Sequence, residues 1–175
     1  VGSIAYNSKI TSRSVGLPLS FDKDSAGNIY SVDFLNQKVR KYSSTGELLL
    51  EWGSLGTGDG QFAEGSPTRV AVDASDNVYI MDINNNRIQK FNSSGVYQSQ
   101  FGSYGSGNGE FTYMNDIGIA PNGDIYVTEG SGGLGGSNRT QHLTSTGSWV
   151  ASLAQSPTTL PMGIDFDSNG YVYIA

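Results

Sequence analysis

Asp76-Asn77-Val78-Tyr79-Ile80-Met81-Asp82-Ile83-Asn84-Asn85-Asn86-Arg87-Ile88-Gln89-Lys90-Phe91 decides the fold of this chain. Asn77 to Met81 alternates with period two, as does Arg69-Val70-Ala71-Val72-Asp73 upstream, and turn residues separate the runs, so both are strands. The phrase also recurs: Gly27-Asn28-Ile29-Tyr30, Gly123-Asp124-Ile125-Tyr126 and Gly170-Tyr171-Val172-Tyr173 place their tyrosines 49, 47 and 47 residues apart along the series. A period of that length means one small sheet per repeat.

Working outward from each tyrosine, Pro18, Pro67, Met114 and Pro161 stand at the same distance upstream. Downstream of the first three come a second apolar stretch, a glycine (Gly46, Gly95, Gly147) and a third stretch ending in Trp52, Phe101 or Leu153. The second repeat therefore predicts four strands: A from Pro67 to Asp73, B from Asn77 to Met81, C from Arg87 to Phe91 and D from Val96 to Phe101. Asp73-Ala74-Ser75-Asp76 and Asp24-Ser25-Ala26-Gly27 carry the side chains that hold tight turns between A and B. A four-stranded antiparallel sheet standing alone leaves both faces wet, so repeated sheets bury those faces against one another by radial stacking. Strand A supports that geometry. Bulky Val70, Ile117 and Ile164 precede Ala71, Gly118 and Asp165, and small or short side chains suit a wedge that narrows toward an axis. The expected class is all-β, a β-propeller of four-stranded antiparallel blades.

These residues resemble the NHL-repeat family of β-propellers. The second repeat carries the resemblance nearly throughout, in Asp82 to Phe91, Phe101-Gly102 and Gly107-Asn108-Gly109-Glu110-Phe111. The first follows it with Asp33, Asn36, Val39, Tyr42, Trp52-Gly53 and Gly58-Asp59-Gly60-Gln61-Phe62. In the third, Glu129 replaces the aspartate, the Gly130 to Gly136 loop is enlarged, and Leu153 lacks its glycine. The boundaries are a half blade 1–16, blades 17–53, 54–102 and 103–153, and a half blade 160–175, about four blade equivalents in one domain. Complementary half blades remove exposed strand edges when they pair. The resemblance implies a ring of more blades than four, which favours a fragment or a homo-oligomer over a closed four-bladed monomer. The start at Val1 and the break within Tyr173-Ile174-Ala175 also point to processing or truncation.

Composition narrows the chemistry. The chain has no cysteine, which excludes disulfides, thiolate metal sites and a cysteine nucleophile, and its single histidine excludes a histidine-rich zinc centre. A net charge of -6 disfavours nucleic acid and anionic membranes, although six of the ten basic residues (Lys38, Arg40, Lys41, Arg87, Lys90, Arg139) gather at strand C. No apolar run reaches the roughly 20 residues that cross a bilayer, so membrane insertion is not expected.

Three groups of residues are candidates for function. Asp22, Asp116 and Asp165 fall on A strands and could converge with Asn115 on a calcium ion, which takes about six to eight oxygen ligands. The competing reading, which carries more weight, is an Arg69–Asp116 ion pair between neighbouring inner strands. Leu55, Tyr104 and Leu134 sit centrally in three glycine-rich loops that should share one rim and anchor a partner; flexible linkers are the plainer reading. The motif Asp82, Asn84, Arg87, with its counterparts in the other repeats, reads as turn architecture. His142, level with Lys41 and Lys90, reads as a solvated strand residue lacking a positioned partner. The functional expectation is a non-enzymatic module, extracellular or periplasmic, that offers a loop face to a protein or glycan and needs no cofactor. The alternative is a calcium-dependent lactonase-type hydrolase or lyase using the axial carboxylates.

Overall fold

The computed structural model describes residues 18–130, 138–153 and 160–175, so the half blade expected at 1–16 lies outside the described residues. Among the described residues fourteen strands form four sheets, and within each sheet strands adjacent in the chain pair antiparallel. The first sheet holds β1 (Pro18–Lys23), β2 (Ile29–Asp33), β3 (Lys38–Tyr42) and β4 (Leu48–Trp52). The second holds β5 (Arg69–Val72), β6 (Val78–Asp82), β7 (Arg87–Phe91) and β8 (Tyr97–Phe101). The third holds β9 (Met114–Ile119), β10 (Ile125–Glu129), β11 (Arg139–Leu143) and β12 (Trp149–Leu153). A two-stranded sheet of β13 (Ile164–Phe166) and β14 (Val172–Ile174) ends the series. The only helical element among the described residues is a single 3-10 turn, Ile83–Asn85.

Local chemistry sets the hairpins. Asp73 Oδ1 accepts the backbone N–H groups of Ser75 and Asn77, each at 2.9 Å, and Asp24 does the same for Ala26 and Asn28. Each aspartate thus satisfies donors that the turn would otherwise leave free. The strands then stack by alternation. All of β6 is buried, with Val78 and Ile80 packing toward the first sheet beside Tyr30, Val32 and Val39. Tyr79 and Met81 face the other way, against Ile117, Ile125 and Val127 of the third sheet. Period-two alternation in one strand therefore supplies two cores, one on each side of a blade.

The inner strands form the hub: β1 lies beside β5, β5 beside β9 and β9 beside β13. Side chains lace them together. Ser20 Oγ and Asp22 Oδ2 accept the N–H groups of Val70 and Val72 one blade on, and Asp116 Oδ2 accepts that of Ile164. Close approach explains Gly118, where a Cβ would stand 2.9 Å from Phe166 Cε2 of the next inner strand. Wedge-shaped sheets around a common axis make this fold a β-propeller, as the pattern predicts.

Candidate functional site

Two of the loops that lead from one sheet to the next fold back on themselves through backbone hydrogen bonds. In the first, Phe62 N–H donates to Ser54 O at 2.8 Å and Gly56 N–H to Phe62 O at 2.9 Å, so residues 54–62 fold back on themselves. In the second, Phe111 N–H reaches Ser103 O at 2.8 Å and Gly105 N–H reaches Phe111 O at 3.2 Å. Phe62 and Phe111 are fully buried and plug the gaps between sheets. The turn into each loop needs glycine: at Gly102, φ is +100° and a Cβ would fall 2.5 Å from the Phe111 ring.

An arginine at the start of the next C strand locks each loop, Arg87 buried and Arg139 half-buried. Arg87 Nε binds Asp82 at 2.9 Å, and its Nη1 and Nη2 groups donate to the carbonyls of Thr57, Gly58 and Gln61 at 2.8–2.9 Å and to the Gln100 amide oxygen. Arg139 repeats the arrangement, with Nε on Glu129 at 2.8 Å and three bonds at 2.9 Å to the carbonyls of Ser106, Gly107 and Glu110. Gln89 and Gln141 complete it by accepting the N–H of Gly60 and Gly109 and donating to Gln61 O and Glu110 O. Asp82 and Glu129 are themselves buried and accept the N–H of Ala63 and Thr112. The turn-architecture reading accounts for only part of this motif. Asn85, not Asn84, caps Asp82, at 2.8 Å, while Asn84 crosses to Glu64 O; the arginine clamps the loop that leads into its own blade. The available signal was the pairing of each Arg-x-Gln strand with a Gly-x-Gly-Gln/Glu-Phe loop before it. In the first blade Arg40 neutralises Asp33 at 2.7 Å from two residues further along, and Lys38 donates to Gly53 O.

Clamped in this way, the loops hold Leu55 and Tyr104 outward at equivalent positions, 62% and 77% exposed. Both loops contact the start of a C strand, so they share one end of the sheets. Leu134 lies outside the described residues. Beside Tyr104 a cleft of about 380 Å³ opens between the 3-10 turn and the start of β9.

At the axis a second cleft, of about 430 Å³, is lined by the inner strands and includes Asp22, Asp116 and Asp165. The expected Arg69–Asp116 ion pair forms, at 3.3 Å. Asp22 and Asp165 each accept the N–H of the following residue, at 2.7 and 2.8 Å, and Asp22 also holds Val72 N–H at 2.7 Å. Burial first, and the charge of Asp165 second, push the Asp22 and Asp116 carboxyls above the usual carboxylate range. Among the described residues no three acidic or histidine side chains come together as a cation site.

His142 departs from the solvated-residue reading. It stacks on Tyr126 with centroids 4.3 Å apart, and Nε2 sits 2.8 Å from Asp124 Oδ2. The equivalent Lys41 and Lys90 lie 5.0 Å over Tyr30 and Tyr79, so the position carries a cation-over-tyrosine contact that the third blade fills with imidazole. Of the six basic side chains of the C strands, five are engaged in such contacts or in ion pairs, and Lys38 donates to Gly53 O.

A clamped, wedge-stacked array of this kind defines a propeller scaffold. Residues 23–132 match the family described as 6-bladed beta-propeller, and the chain belongs to that family. The sequence matches no curated protein. Solved structures share the fold. A catalytically inactive virginiamycin B lyase from Staphylococcus aureus with quinupristin aligns at TM-score 0.69 and 14% identity, over 93% of this chain and 50% of that one. The nidogen/laminin complex aligns at 0.70 and 19%, over 89% and 54%. A protein of unknown function from Bacteroides thetaiotaomicron aligns at 0.66 and 22%, over 91% and 44%. The chain spans about half the length of each.

Proposed function

We propose that this chain is part of an NHL-type, non-enzymatic propeller module, extracellular or periplasmic, that presents its loop rim to a protein or glycan partner. One observation carries the reading: two separate loops, each locked by an arginine that binds its backbone carbonyls, hold an exposed Leu55 or Tyr104 at the same position. Ordering those loops in advance lowers the entropy lost on binding, and exposed aromatic and aliphatic anchors supply contact area. The axial carboxylates favour the module over a hydrolase or lyase, because backbone amides and Arg69 already occupy them. Further blades, or a second copy of this chain, complete the ring. Phe21 is 78% exposed on β1, whereas its counterparts Val70 and Ile117 are each 5% exposed beneath a neighbouring blade.

The test is a binding screen of the chain against a peptide-display library and a glycan array, repeated with Leu55→Ser and Tyr104→Ser. Binders that lose their signal with either substitution support the reading. Binders indifferent to both would overturn the rim assignment, as would turnover that depends on Asp22 or Asp116.

A further inference from the structure

The cleft beside Tyr104 has a particular chemistry. Tyr104 and Tyr113 stand at its mouth, 77% and 46% exposed, with Asn84, Asn86 and Asn115 among its other lining groups and Ile83 as an apolar wall. Among the described residues that line it none is an acid, a lysine, an arginine or a histidine, although the chain as a whole carries a net charge of -6. An ionic ligand would be desolvated there without a counter-charge, which is unfavourable. The amides are placed but not saturated. Asn115 spends its N–H groups on Gly130 O and Pro161 O and Asn84 donates to Glu64 O, and among the described residues neither amide oxygen accepts a hydrogen bond. Among the described residues the Asn86 side chain makes no hydrogen bond, and its backbone sits in the left-handed region with φ 54°.

We propose that this cleft is a subsite for a neutral carbohydrate; the inference rests on the binding-module reading of the rim. Flat phenol rings offer apolar faces to the C–H side of a sugar ring, and amide oxygens and N–H groups match hydroxyls, which both donate and accept. A volume of about 380 Å³ lies at the small end of ligand pockets, and suits the end of an oligosaccharide rather than a folded domain. A peptide is the less favoured occupant, since the cleft has neither a charge for a terminus nor a deep apolar hole for an anchor side chain.

The experiment titrates the chain with neutral cello-, xylo- and manno-oligosaccharides and with oligogalacturonate as the anionic control, followed by tyrosine fluorescence and calorimetry. At least one neutral series binds, oligogalacturonate does not, and Tyr104→Ala weakens binding about tenfold or more. Asn86→Gly, which keeps the left-handed backbone, also weakens it, and circular dichroism and melting stay unchanged in both variants. Absence of binding by every neutral series overturns the proposal, as does binding indifferent to Tyr104. If a displayed peptide binds through Tyr104 and Leu55 while no sugar does, the carbohydrate inference fails and the module reading stands. If neither ligand class depends on these residues, both fail.

Discussion

Replacing Arg87 with alanine removes the guanidinium from a buried site with five acceptors. Asp82 is fully buried and would be left with only the Ala63 N–H and the Asn85 and Gln89 amides around it, at 3.0, 2.8 and 3.5 Å. The carbonyl of Thr57 would lose its donor, and those of Gly58 and Gln61 would keep only the Gln61 N–H and the Gln89 amide. Breaking a buried pair by removing one partner costs about 3–5 kcal/mol, against about 0–1 kcal/mol for an exposed pair. On a domain whose total stability is about 5–15 kcal/mol, the buried figure is a large fraction. Arg87→Lys keeps the charge but not the planar fork, so it recovers less than half of the loss. Asp82→Asn with Arg87→Met removes both charges and costs less than Arg87→Ala alone. Urea denaturation followed by tryptophan fluorescence gives the stabilities. Hydrogen exchange at Gly58, Gly60 and Phe62 reports the loop and should accelerate in Arg87→Ala even under native conditions. A loss below about 1 kcal/mol with unchanged exchange in residues 54–62 would refute the clamp.

Gly118→Ala places a methyl 2.9 Å from Phe166 Cε2 and costs about 1–3 kcal/mol by overpacking the hub; a neutral result in denaturant titration would show that the inner strands are not in close contact. Burial alone would raise Asp73, but the Asn77 side chain, the Asn77 and Ser75 N–H groups and the Tyr79 hydroxyl hold it low. Its stabilisation is therefore present above its unfolded value of about 4 and is lost as pH falls through the folded value, and Asp73→Asn should flatten that acid limb in melting curves. Asp22 is shifted the other way. Its contribution is present below about pH 4 and lost as pH rises through the folded value, so Asp22→Asn should melt at or above the parent chain at pH 7, and a clear drop there would sink that sign. Calcium in place of a chelator should leave the melting temperature unmoved, since Arg69 and backbone amides hold the axial carboxylates; a rise abolished by Asp165→Asn would restore the cation reading. Light scattering should detect self-association that Phe21→Asp abolishes if a second copy closes the ring, and a monomer at all concentrations would assign that face to further blades.

Much of the fold was legible because its signals are local. Val78 to Asp82 alternates, and each alternate residue found one of two cores; Asp73 and Asp24 cap turns within four residues of themselves. The sites were less legible. Leu55 and Tyr104 were identifiable as loop-centre residues, but the reason they are held outward is not in their own segment. His142 showed its strand and its register but not its Asp124 contact, because Ala120 stands where the other repeats have the aspartate that meets Lys41 or Tyr79. Asp22 and Asp116 were recognised as inner-strand acids, yet their main-chain partners lie 50 and 48 residues away, one repeat further round the axis.

Taken alone, the sequence determined the strands, the repeat length and the wedge, since alternation and glycine placement record burial and turn geometry within a few residues. The tertiary structure decided which arginine clamps which loop, what the carboxylates hold and where the tyrosines meet asparagines. Those contacts join segments far apart in the chain. Their partners are selected by how neighbouring sheets stand around the axis, and a one-dimensional pattern does not contain that angle.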